Sequence, residues 1–485
     1  MIGRQKSAAA DAALHATGRA RAGWSRGAYA ATLLCAYLSV LIANLPGHLT
    51  LDSLLELYEG RYRIRQSWAP SFYAWVLGAF DSVWRGAGLY VAASALLLFA
   101  ALASLAWLRP RARPGAVVLA ALFGLSPLLL IYQAIVWKDV LFADAAVAGM
   151  ACLAWALQRW EAPRLRWACL AAALLLLAAA ALLRQNGIVV GLLAAGALGW
   201  ARGRDGRRRG LAWALAALAA VLLLSHGLDL ATRPPDARAD SGVGDGVRVV
   251  EGYDLMGAVS RDPSFPLPAA TKAAPAAAAE LRRLAPRYYS AERIDFLDDQ
   301  PRLQAALDAI PDAALAADWR NLVMHPATYL RERAQVFRWV LLTPQIKRCV
   351  PVSLGVDGPP DTLRALGMSR RWSAQDQRLE VYDRAAAPVH AHLAYAVIAA
   401  LVGLLMLRRG EPADLAMAAL MASALLFAAS FFVISIACDY RYLYFLDLAA
   451  MAGLLYLAID PPPIRMSSRV QPTSSRISFW SSQSR

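Results

Sequence analysis

Cysteine and histidine are scarce, at five and six residues in a chain of 485. No cysteine and histidine fall at metal-ligand spacing, so a structural zinc module is excluded. The chain has no Gly-rich phosphate loop, no nucleophile elbow and no His-Glu-x-x-His run, which leaves soluble-type ATPase and hydrolase chemistry without support. It has no internal repeat at a fixed period, and neither half duplicates the other. The formal charge is +15, yet the one long polar stretch, 229–388, is balanced in acid and base. A nucleic-acid partner needs a basic face on a folded domain, and none is visible.

Long apolar runs are what the chain has in quantity. Ten of them, at 28–46, 88–108, 115–136, 140–158, 167–183, 187–201, 210–228, 389–407, 412–437 and 442–459, approach the roughly 20 residues needed to cross about 30 Å of hydrocarbon. The run at 187–201 is short, which suggests tilting or a tight hairpin with its neighbour. The basic residues alternate. Arg4, Lys6, Arg19, Arg21 and Arg26, then Arg109, Arg111 and Arg113, Arg159, Arg164 and Arg166, Arg202, Arg204 and Arg207 to Arg209, Arg408 and Arg409, and Arg465, Arg469, Arg476 and Arg485 all fall on one side. The opposite short loops carry only Arg61, Arg63, Arg65, Arg85, Lys138, Arg184 and Arg441. By the positive-inside rule the protein is a multi-pass protein of the cytoplasmic (inner) membrane with both termini in the cytoplasm. The first apolar run is long enough to span and no small-residue cleavage motif follows it, so it is not expected to be a cleaved signal.

The expected fold is therefore an all-α polytopic membrane protein of about ten transmembrane helices. The chain divides into a basic cytoplasmic N-terminus (1–27), a transmembrane module (28–228) with an outer loop at 47–87, an outer soluble domain (229–388), closing spans (389–459) and a disordered cytoplasmic tail (460–485). In the first outer loop Leu51, Leu54, Leu55 and Tyr58 recur at helical spacing, and Phe72, Tyr73, Val76, Leu77 and Phe80 repeat the pattern after Pro70. Two juxtamembrane helices are predicted there. The outer domain reads as mostly helical over 271–289 and 300–338 and irregular over 229–270, where Gly and Pro interrupt it. His325-Pro326 reads as a helix start. Cys35, Cys152 and Cys169 lie in apolar runs as small buried hydrophobes. Cys349 and Cys438 share the outer side and could pair, with two unpaired thiols as the alternative, since spacing alone does not place their Cα atoms within bridging distance.

Asp52 leads the candidate chemistry. At the start of the first juxtamembrane helix it is placed either to act as a general base on an acceptor hydroxyl or simply to cap the helix. His48 lies near it in sequence and is a candidate to orient it. Lys138 and Asp139, beside Trp137, stand at the outer end of a span, as a surface pair or as a phosphate-binding Lys held by an acid. Asp144 lies a turn deeper, where an ionisable group suggests function. Arg184, in the Arg184-Gln185-Asn186-Gly187 turn, and Arg441, in Asp439-Tyr440-Arg441-Tyr442, reach the same outer plane. Such a cationic group suits a lipid-linked phosphate, with snorkelling as the alternative.

This layout resembles the GT-C superfamily of membrane glycosyltransferases, which includes protein mannosyltransferases and the aminoarabinose transferase of lipid A. Those enzymes place an acid in the first outer loop, follow it with two juxtamembrane helices, and many carry a late outer soluble domain. Asp52 matches the acid and the helix after Pro70 the second juxtamembrane helix; Lys138-Asp139 falls near a second polar outer loop. The family's usual Asp-Glu pair is Asp52-Ser53 here. Its His-Pro-Pro-Leu-Tyr stretch is Trp68-Ala69-Pro70-Ser71-Phe72-Tyr73, without the His. The resemblance implies sugar transfer from a polyprenyl-phosphate-linked donor to a glycan, lipid or protein acceptor on the outer face. Asp52 and Asp139 would be catalytic, and Lys138, Arg184, Arg441 and Asp144 would bind substrate. A divalent metal would be compatible with the family, though no dedicated site is visible. The alternatives are an O-antigen or polysaccharide polymerase or ligase, and a lipid-linked glycan transporter.

Overall fold

The computed structural model describes residues 25–67, 70–109, 112–234 and 241–461. The terminal basic residues before Ser25 and the tail after Pro461 lie outside that set, as do Arg111 and the Trp68-Ala69 pair. The described chain is helical, with isolated bridges and no strand. Helix α1 (Ser25–Asn44) comes first. The paired α2 (Leu51–Tyr62) and α3 (Ser71–Val83) follow, then α4 (Gly88–Ser104). Next come α5 (Pro114–Leu125), the short α6 (Pro127–Leu130), α7 (Lys138–Gln158), α8 (Pro163–Leu183), α9 (Ile188–Gly203) and α10 (Arg207–Thr232). After the outer domain, α19 (His392–Arg409), α20 (Pro412–Ile434) and α21 (Tyr444–Ile459) close the bundle.

Eight of these helices are long and apolar enough to span a membrane, or nine if the bent pair at 114–134 counts as one span. The sequence led to ten, and the two differences have physical causes. At 115–136 the run breaks at Ser126-Pro127 and bends by 64°. Proline offers no N–H and pushes the preceding residue into extended backbone, and Ser126 has ψ 148°. The piece beyond the break, from Leu128 to Trp137, turns into the bundle and is buried. At 187–201 the helix α9 has 16 residues, about 24 Å at 1.5 Å per residue and short of the hydrocarbon thickness.

Helix α7 is the hub, packed against α4, α8, α20 and α21. Its apolar window is 83% buried, that of α10 only 11%, which separates the centre of the bundle from its rim. Small residues let α7 sit close to its neighbours: a Cβ at Gly149 would stand 3.0 Å from the Leu177 side chain of α8, tighter than ordinary contact. On α10, Leu211, Leu215, Leu223 and Leu230 are each more than half exposed. An apolar surface of that extent is unfavourable in water and suits hydrocarbon.

The domain between α10 and α19, expected on the outer side, holds α11 (Ser241–Arg261), α12 (Pro268–Ala273), α13 (Pro275–Tyr288), α14 (Pro301–Asp308), α15 (Asp312–Val323), α16 (Pro326–Leu342), α17 (Pro360–Leu366) and α18 (Ala374–Ala385). Its own core includes Tyr253, Met256, Leu281, Leu303, Leu315 and Leu322. The expectation of irregular chain over 229–270 fails, because α10 runs on to Thr232 and α11 fills most of the rest. One glycine in α11 serves close packing rather than breaking the helix: a Cβ at Gly257 would collide with the carboxyl of Glu332. The start of α16 at His325-Pro326 is as read.

Three ties hold this domain to the bundle. Fully buried Arg333 pairs with Asp254, which also accepts from Trp319 Nε1 at 2.8 Å, and Arg333 Nη1 donates to the Ser435 carbonyl at 2.6 Å. The backbone of Glu292–Ile294 pairs with that of Ile436–Cys438. Cys349 and Cys438 form a disulfide with Cα atoms 5.0 Å apart, which decides between a pair and two free thiols. The 89-residue separation hides a contact that only the folded domain creates.

Candidate functional site

The chain leaves α1 through Gly47 and His48 and enters α2 at Thr50. Thr50, not Asp52, is the N-cap, in a reciprocal capping box with Ser53. Trp137 Nε1 donates to Thr50 Oγ1 at 3.1 Å, pinning the helix start to the buried stretch before α7. Asp52 is thus released from capping and lies in the first turn of α2. Helices α2 and α3 form a tight hairpin because Gly60 and Gly78 face each other, and a Cβ on either would run into the partner's backbone. Arg61 clamps the hairpin with two bonds to Asp81, at 2.8 and 2.6 Å.

Residues remote in sequence meet at this end of the bundle. Arg441 Nη1 donates to Asp52 at 2.7 Å and Nη2 to Asp439 at 3.2 Å, with the guanidinium 5.1 Å over the Trp137 ring. Asp139 pairs with Arg184 at 2.9 Å, and its second oxygen accepts no hydrogen bond among the described residues. Arg184 in turn lies over Phe431 and Tyr442. Lys138 Nζ stands 3.4 Å from Glu56, and Arg293 of the outer domain reaches Asp439 at 2.6 Å. Of the expected residues, the structure brings Asp52, Lys138, Asp139, Arg184 and Arg441 into one charged cluster.

Exposure separates their roles. The Asp52 side chain is 45% exposed, Lys138 23% and Arg441 19%, against 4% for Asp139 and 3% for Glu56. Burial works to raise the Asp52 carboxyl, but the charge and hydrogen bond of Arg441, with Lys138 beyond, outweigh it and hold it below the usual range. Glu56, one turn along α2, goes the other way. Burial pushes it up to about 7, against the pull of Lys138 and with a push from Asp52. Two carboxyls on one helix face are thereby driven apart, the arrangement that separates acid and base roles in enzymes.

Asp144 is not part of the cluster. It is fully buried and accepts from Ser94 at 2.8 Å and from Gln133 at 2.9 Å, joining α4, α7 and the stretch after the α5–α6 break. His48 turns away from Asp52 as well. Its Nδ1 accepts from the Gly355 N–H at 3.0 Å, so Nε2 carries the proton toward Asn44, and burial lowers its pKa to about 4 despite nearby Asp376. Gly355 makes this contact from a left-handed conformation, φ 76°. His48 is a neutral joint between loop and outer domain.

Three participants went unread in the sequence. Glu56 had a signal, its i, i+4 spacing from Asp52. Asp439 had one as well, two residues before Arg441. Arg293 had none, because it arrives through the pairing of two distant segments. Among the described residues no three His, Cys, Asp or Glu side chains are placed to hold a metal ion. A cavity of about 570 Å³ lies at the far end of the bundle, lined by residues such as Arg159 and Arg202 and away from the cluster. No family model, curated protein or solved structure matches the chain.

Proposed function

We propose that the chain is a membrane glycosyltransferase of GT-C type. It would move a sugar from a polyprenyl-phosphate-linked donor to a glycan, lipid or protein acceptor on the outer face of the cytoplasmic membrane. The observation that carries this reading is the convergence of a half-exposed carboxylate, Asp52, with Lys138 and Arg441 at one end of an apolar bundle. A lipid-linked donor delivers a phosphate and a sugar to just that boundary. In the reaction, the bond between the anomeric carbon and the phosphate oxygen breaks as the acceptor oxygen bonds to that carbon. The hydroxyl proton passes to the Asp52 carboxylate, and polyprenyl phosphate leaves with its charge. Lys138, with the weakest protein partner of the cations, is the first contact for that charge, and Arg441 the second. Arg184 is committed to Asp139 and shapes the floor.

The test compares envelope glycans and polyprenyl-linked sugars by mass spectrometry in a deletion strain carrying either the wild-type gene or Asp52→Asn. Loss of one sugar from a surface glycan, with build-up of its lipid donor, is expected in the deletion. Asp52→Asn should lower transfer by roughly 10²- to 10⁴-fold at normal protein level. Full rescue by Asp52→Asn overturns the reading.

One observation favours a second reading, a lipid-linked glycan transporter. The broken stretch at 114–134 carries Gln133 onto buried Asp144, and transporters use broken helices with polar groups at depth. On that reading Asp144→Asn abolishes activity in the same strain and Asp52→Asn does not.

A further inference from the structure

At the end of the bundle remote from Asp52, three turns come together, α7 to α8, α9 to α10 and α19 to α20. The cavity of about 570 Å³ lies among them, lined in part by Gln158, Arg159, Trp160, Glu161, Arg202 and Arg204. Its walls carry three arginines against one glutamate. Trp160 is the floor: the Arg202 guanidinium lies 4.3 Å over its ring and that of Arg166 4.9 Å, while Trp213 meets it edge-on at 5.3 Å. Arg202 is steadied by Asp205, and Arg204 by the Gly410 carbonyl at 2.9 Å. The buried Nε atoms of Arg202 and Arg166 donate to nothing among the described residues. Arg159 has no ion pair among them.

Like charges gathered around one indole call for an anion. The chain's own terminal segments do not supply it. Residues 1–24 hold Arg4, Lys6, Arg19 and Arg21 against Asp11, and residues 462–485 hold four arginines and no acid. Both are net basic, the same sign as the cavity's arginines. Tryptophan with arginine at the end of spanning helices marks headgroup depth, and basic pockets between helices there take lipid phosphates. The volume lies in the range of small-ligand sites.

We infer that this cavity binds the phosphate headgroup of an anionic membrane phospholipid. Arg159 and Arg204 would meet the phosphate oxygens, and the Trp160 ring would carry the glycerol edge. The inference rests on membrane placement alone and is independent of any reaction at the other end.

The experiment uses the full chain, delipidated and reconstituted in nanodiscs of phosphatidylcholine with or without phosphatidylglycerol, read by native mass spectrometry and by thermal midpoint. Wild type should keep a phosphatidylglycerol adduct and unfold at higher temperature with that lipid present. Arg159→Gln/Arg204→Gln should retain it roughly thirtyfold more weakly and lose the rise in midpoint that phosphatidylglycerol gives wild type over phosphatidylcholine. If the double variant does not fold, Arg159→Gln alone decides. Equal retention by wild type and variant, or no adduct, overturns the inference. Stabilisation by inorganic phosphate without lipid assigns a soluble anion and overturns it too.

Discussion

Replacing Glu56 by glutamine separates what burial does to this carboxyl from what function asks of it. In the unfolded chain it titrates near the ordinary 4.5, and in the folded protein near 7. Below pH 4.5 it is protonated in both states and adds nothing to a pH dependence. As pH rises from there, the unfolded chain releases the proton and the native state holds it, so stability falls until the group ionises in both states above about 7. The loss across that window is about 3 kcal/mol, from 1.36 kcal/mol per pKa unit. Glu56→Gln keeps the shape and removes the titration. Its unfolding free energy in mixed micelles should match wild type near pH 4.5 and exceed it by up to about 3 kcal/mol at pH 8. If the carboxyl also exchanges a proton during transfer, the stabilised variant loses activity, and that combination marks a functional group. A wild-type stability flat from pH 5 to 8 would refute the reasoning.

Three further outcomes follow from the packing. Cys349→Ser should cost about 2–5 kcal/mol, as removal of native disulfides does, with the same loss on reducing wild type; an unchanged midpoint would show that the bond bears no load. Gly78→Leu, whose side chain meets the Gly60 backbone, should open the α2–α3 hairpin, seen as new protease cleavage between 51 and 83 and lost transfer, whereas an intact hairpin would deny the close approach. Arg333→Met should cost about 3–5 kcal/mol by leaving Asp254 buried and unpaired, and adding Asp254→Leu should recover part of it. A double variant no better than the single would place the cost in lost packing instead.

Much of this architecture was legible, and the reasons are local. Span ends follow from runs of apolar residues, and alternation then put Asp52, Lys138, Asp139, Arg184 and Arg441 at one end of the bundle before any contact was known. The α2–α3 pair followed from helical spacing. What escaped depends on single residues or on distance. Mean apolarity passes over Ser126-Pro127, so a bent pair read as one span. Gly-rich 241–261 read as irregular because a glycine looks like a breaker until Glu332 is seen against it. Asp144 drew attention by its depth alone, and that Ser94 and Gln133 meet it could not be read, because they come from other segments.

The contacts make the helical domain between α10 and α19 part of the cluster. Asp439, which holds one side of Arg441, follows directly on Cys438, and that cysteine is bonded to Cys349 and paired through its backbone to Glu292. Arg293, next in line, returns to Asp439 at 2.6 Å. The guanidinium that steadies Asp52 is thus oriented from the far side by a domain whose own core is folded around Asp254 and Arg333. Loosening that domain should release Asp439 before it disturbs any spanning helix, and Arg441 would then be shared between Asp52 and solvent. On the proposed reading, transfer should therefore be lost in the disulfide variants at temperatures where the bundle is still helical by circular dichroism. Loss of both in one transition would mean that bundle and domain unfold together, and that the outer domain positions nothing separately.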